Sequence, residues 1–87
     1  MRFGDALLEL LQEEDVYVTS TGKVNLSAFA RELDGIHYQS LRRAVSGARP
    51  VPIEMIEECA RALRVRPNYF LEYRILRPRH LGAARVA

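Results

Sequence analysis

The sequence predicts an all-α domain built from five short helices. Apolar residues recur three and four positions apart in five separate stretches. Those stretches are bounded by Gly and Pro at Asp34-Gly35, Gly47, Pro52, Pro67 and Pro78. The β-branched segment VYVTSTGKV (16–24) makes one short connection between helices.

The first helix is expected over 3–14. Phe3, Leu7, Leu10 and Leu11 share one face, with Asp5, Glu9 and Glu13 on the others. Glu13, Glu14 and Asp15 crowd the negative end of its dipole and should stop it. Residues 16–24, with Gly22, read as an extended or turning connection or a short strand pair. Asn25 then offers an N-cap to a second helix over 26–33, whose apolar face is Leu26, Phe29, Ala30 and Leu33. Asp34-Gly35 ends that helix, with Gly35 supplying a left-handed backbone. After two to three residues a third helix is expected over 37–46. Tyr38, Leu41, Ala44 and Val45 form its apolar face, and Gln39, Ser40, Arg42, Arg43 and Ser46 lie opposite. Gly47 is its stop. Pro52 suits the first turn of a fourth helix, which carries Ile53, Ile56, Cys59, Ala60 and Leu63 to about Arg64. Arg66-Pro67 opens a fifth, NYFLEYRIL, to about residue 76. The domain is thus read as 1–76, with 77–87 a basic, flexible tail.

The 87 residues suit one domain and exclude a two-domain enzyme. The formal net charge of +2 hides an asymmetry. Residues 1–22 set Arg2 against five acidic residues, while 12 of the 13 basic residues are Arg and most lie further along. From Arg61 onward seven Arg face Glu72 alone. Such a distribution suits an anionic partner or an Arg-preferring genome, and the acidic first helix is expected to face away from that partner. A lone cysteine permits no internal disulfide, so a reducing cytoplasm is the expected location. The opening MRFGDALLELLQ lacks the basic and long apolar regions of a signal peptide, and no apolar run is long enough to cross a membrane. Cys59 lies on the apolar stripe of the fourth helix and reads as a small buried hydrophobe. Two His and one Cys, widely spaced, make neither a zinc site nor a catalytic pair. No cofactor, metal or small-molecule ligand is expected, and no enzyme activity. Tyr69, Phe70 and Tyr73 either cap the core or form a dimer patch.

The informative unit is helix, tight turn, helix over 26–46, the layout of a helix-turn-helix. An α-helix fits the DNA major groove, where base edges carry a distinct pattern of donors and acceptors. Gln39, Ser40, Arg42 and Arg43 are side chains able to read bases or hold phosphates.

The stretch NLSAFARELDGIHYQSLRRAVSGARPVPIEMIEECARALRVRPNYF resembles the phage-repressor/Cro-type helix-turn-helix domain, also called the XRE family. The resemblance rests on Phe29-Ala30, Leu33, Gly35-Ile36, Leu41, Ala44, Ser46-Gly47, Ile56, Ala60, Ala62, Leu63 and Val65. RPNYFLEYR resembles the last helix of actinobacterial members, and the whole resemblance spans about residues 3–76. It implies a compact, lambda-repressor-like fold and a sequence-specific transcriptional regulator of the phage or prophage repressor type. It also implies a double-stranded DNA operator as partner, bound by a monomer or by a homodimer. The base-reading positions fall on Tyr38, Gln39 and Arg43, with Ser40 and Arg42 beside them and Arg49 in a loop that touches the DNA backbone. His37 opens the recognition helix, as a cap or a phosphate contact. Tyr38 also has the spacing of a core residue with an exposed hydroxyl. Two features depart from the family. Leu26 stands where members often carry a phosphate-binding Gln, so that contact is either lost or moved to Asn25 or Ser27. Asp34 makes the turn one residue longer. An antitoxin or a protein-interaction module of the same fold is the alternative.

Overall fold

The computed structural model describes residues 2–76, which form an all-α structure. The tail expected over 77–87 lies outside the described residues. The helices are α1 (Phe3–Gln12), α2 (Leu26–Ala30), α3 (Tyr38–Ser46), α4 (Ile53–Leu63) and α5, helical over 71–76. Single 3-10 turns cover Asp15–Tyr17 and Pro67–Tyr69. Among the described residues no helix is long and apolar enough to cross a membrane.

Every helix contributes to one core. Phe3, Leu7 and Leu11 of α1 meet Phe29 of α2, Leu41 of α3, Ile56 and Cys59 of α4, and Phe70. Each of these side chains is at most 2% exposed. Burying a large apolar side chain of this kind contributes about 1.5–3 kcal/mol. The rings of Phe3 and Phe70 lie 5.2 Å apart between centroids, and Tyr17 meets Phe29 edge-on at 5.3 Å. The backbone N–H of Phe3 donates to Glu72 Oε2 at 2.8 Å, so a carboxylate from α5 sits at the positive end of α1.

Several boundaries differ from the sequence expectation, each for a local reason. α1 ends at Gln12 rather than 14, as three consecutive acidic residues at a helix C-terminus favour. Residues 16–24 hold a single antiparallel bridge, Val18 to Val24, rather than paired strands. Gly22 turns that segment with φ +82°, and its carbonyl accepts from the Gln12 side chain at 2.9 Å. α2 stops at Ala30, three residues early. Glu32 N–H and Leu33 N–H instead reach carbonyls three residues back, on Phe29 and Ala30, which is 3-10 geometry. With α3 beginning at Tyr38, the connection covers residues 31–37 and exceeds the two to three residues expected. Pro52 precedes α4 in an extended conformation instead of sitting in its first turn, and its carbonyl accepts from Met55 and Ile56. The expected fifth helix is broken. Phe70 adopts extended backbone (φ −88°, ψ 130°) between the 3-10 turn and α5, which places its ring fully in the core.

Candidate nucleic-acid interface

α3 is held from one side and open on the other. Leu41 is fully buried, Ala44 is buried and Val45 is half-buried, and the helix packs on α1 and α2. These anchors are three and four residues apart, so the remaining positions point outward. Gln39 and Arg43, one turn apart, form the outermost ridge, with Arg42 on one flank and Ser40 on the other. All four are exposed.

Local chemistry fixes both ends of this helix. Gly47 takes φ +84°, a left-handed conformation that lets the Ala48 N–H return to the Arg43 carbonyl at 3.0 Å. Ser46 turns its hydroxyl back onto the same carbonyl at 3.1 Å and is thereby committed to the helix end. Arg49 follows immediately, exposed, with its N–H 3.3 Å from the Arg43 carbonyl. At the other end His37 occupies the N-cap position with extended backbone, but its ring makes no capping hydrogen bond. The capping role considered for it is therefore absent, and the ring is exposed. Tyr38 is 37% exposed, beside the apolar face rather than within the core.

Asn25 caps α2 as its position predicts, accepting from the Ala28 N–H at 3.1 Å. Its Oδ1 is thus engaged, and what remains of its side chain to meet a partner is the amide NH2. The eight residues singled out in the sequence (Asn25, His37, Tyr38, Gln39, Ser40, Arg42, Arg43 and Arg49) are all exposed. The structure gathers seven of them on α3 and its two ends. Asn25 stands apart, at the start of the neighbouring helix.

Charge follows the same pattern. Between Gly35 and Ile53 the chain carries Arg42, Arg43 and Arg49 and no acidic residue. Among the described residues none of these three guanidinium groups is in an ion pair. Cys59 lies in the core beneath, its thiol pushed up to about 12 by burial and, secondarily, by the charge of Glu58. It stays protonated and unreactive at neutral pH. Among the described residues no group of three or more His, Cys, Asp or Glu is placed to hold a metal ion.

The sequence does not single out a contact between α4 and the connection ahead of α3. Glu58 Oε2 accepts from the backbone N–H of Asp34 at 2.6 Å. Arg61 grips the same carboxylate with Nε on Oε1 at 2.9 Å and Nη2 on Oε2 at 2.5 Å. The acid and base three residues apart on a helix were a signal for their pairing. Nothing in the sequence pointed to Asp34.

Comparison with known proteins finds no matching family model, no matching curated protein and no matching solved structure.

Proposed function

We propose that this chain is a sequence-specific DNA-binding regulator of the phage-repressor/Cro (XRE) type, with a lambda-repressor-like arrangement of its helices and α3 as the recognition helix. One observation carries the reading: an anchored helix turns Gln39, Arg42 and Arg43 outward, and among the described residues no carboxylate pairs with the arginines. Arg43 is assigned to guanine, where a bidentate guanidinium is the commonest specific contact, and Gln39 to adenine. Arg42 and Ser40 flank them on bases or phosphates. Tyr38 is a further base contact at the edge of the helix. Arg49, His37 and the amide of Asn25 position the protein on the DNA backbone. The first turn of α3 contains no acidic residue and no side-chain cap, so its positive end is compatible with a phosphate.

The assembly proposed is a homodimer, with two copies of α3 about 34 Å apart on a near-palindromic site. Tyr69, Leu71 and Ile75 are 40–51% exposed, and the last two lie one turn apart on α5. That apolar exposure also supports the second reading, an antitoxin or protein-interaction module of the same fold, in which a protein covers this face.

Arg43→Ala should weaken binding to the preferred duplex by about 1–3 kcal/mol and relax the base choice at one position, as measured by titration against single-base variants. If Arg43→Ala and Gln39→Ala together leave specific binding intact, α3 is not the reading helix.

A further inference from the structure

Residues 31–37 decide where α3 starts, yet little in their own sequence holds them. Asp34 and Gly35 are exposed, and Gly35 has φ +72° with open space where a side chain would stand. The backbone hydrogen bonds of the connection are local: the N–H groups of Arg31, Glu32 and Leu33 reach back to Ser27, Phe29 and Ala30, and the His37 carbonyl accepts from Leu41. Leu33 and Ile36 supply its apolar contact with the core. Among the described residues the hydrogen bonds tying this connection to a distant element come from α4. Glu58 takes the Asp34 N–H, and Arg61, held by Glu58, reaches the Glu32 carbonyl with Nη2 at 3.4 Å.

We propose that Glu58 is a positioning residue for DNA recognition: clamped by Arg61, its carboxylate fixes the backbone at Asp34 and so sets how α3 is presented to the major groove. The inference rests on the DNA-binding reading above and adds specificity control by a residue that does not itself touch DNA. A charge-assisted hydrogen bond to a backbone N–H is directional, and the Arg61 fork limits the rotation of the carboxylate that accepts it. The two ends of the clasp lie 24 residues apart in the chain, so α4 acts as a rigid reference for the turn. Base readout requires side chains to be placed within about 0.5 Å, whereas attraction to phosphates tolerates a shifted helix. Loosening the clasp therefore costs discrimination rather than non-specific affinity.

The test compares binding to the duplex selected from random DNA with binding to random duplex, at one salt concentration and well below the melting temperature. Glu58→Met, which removes the acceptor, is expected to lower the selected-over-random ratio roughly tenfold, the scale of one charge-assisted hydrogen bond. Affinity for random duplex should stay within about twofold, since no phosphate contact is removed. Glu58→Gln keeps an oxygen for the Asp34 N–H and should retain most of the ratio, which a merely destabilising change would not distinguish. If Glu58→Met does not fold, Arg61→Met makes the same comparison at the more exposed partner, with an expected loss of about threefold. An unchanged ratio in the folded variants overturns the positioning role and leaves the DNA-binding reading standing. A wild-type protein without any sequence preference overturns that reading itself.

Discussion

Glu58 accepts hydrogen bonds from the Arg61 guanidinium and from the Asp34 backbone N–H. The Arg61 side chain first, and the Asp34 backbone N–H second, hold its carboxyl down to about 2, against an ordinary value of 4.5. A carboxylate whose folded value is depressed contributes stability above its unfolded value and loses it as pH falls toward the folded one. The expected outcome is a component of acid destabilisation between about pH 4.5 and 2, seen in denaturant unfolding at a series of pH values. Glu58→Gln should remove that component, and an unchanged acid profile would show that the clasp contributes nothing to folding. At this scale the sequence was legible where chemistry is local. Asn25 caps α2 because its side chain needs only the N–H three residues ahead, and Gly47 ends α3 because a left-handed residue is needed there. Glu58 and Asp34 meet only after the chain has folded, and no spacing rule relates positions 24 residues apart. His37 stands at the foreseen N-cap site, but its ring does not cap the helix.

At the scale of elements, α3 depends on how closely α1 approaches it. A methyl group on Gly4 would overlap the backbone carbonyl of Val45 in the last turns of α3, so the two helices touch backbone to backbone. Helix propensity alone would favour Gly4→Ala by about 1 kcal/mol. Overpacking against a backbone atom opposes it by roughly 1–3 kcal/mol or more, because neither helix can yield as a side chain does. The overlap should win, and Gly4→Ala should lower the melting temperature; a rise would show that α1 and α3 separate at little cost. The helical stretches themselves were readable because their apolar residues repeat on one face. Their ends were less so. The step from Ala30 to Leu33 buries both residues in an α-helix or in a 3-10 turn, so periodicity could not foresee that α2 stops early. Phe70 and Tyr73 likewise fit a continuous helix. The break arises because Phe70 must reach the Phe3 ring, 67 positions back in the chain, while Tyr69 stays 45% exposed.

For the whole molecule, the net charge of +2 is a poor guide to partners, because the excess of arginine lies mostly outside α3. The case for nucleic acid rests on placement: a buried face formed by Leu41 and Ala44, an outward face of Gln39, Arg42 and Arg43, and Arg49 just beyond. Phosphate contacts alone would give affinity without preference, whereas base-reading side chains on a fixed helix give both. Selection of bound sequences from random duplex DNA by the full chain, followed by titration of the selected duplex over a range of salt, separates these possibilities. A base-reading role for α3 predicts an enriched motif, with half-sites about one helical turn apart if two copies bind, and an affinity that falls steeply as salt rises. Recovery of no enriched sequence, or binding indifferent to salt, would contradict it.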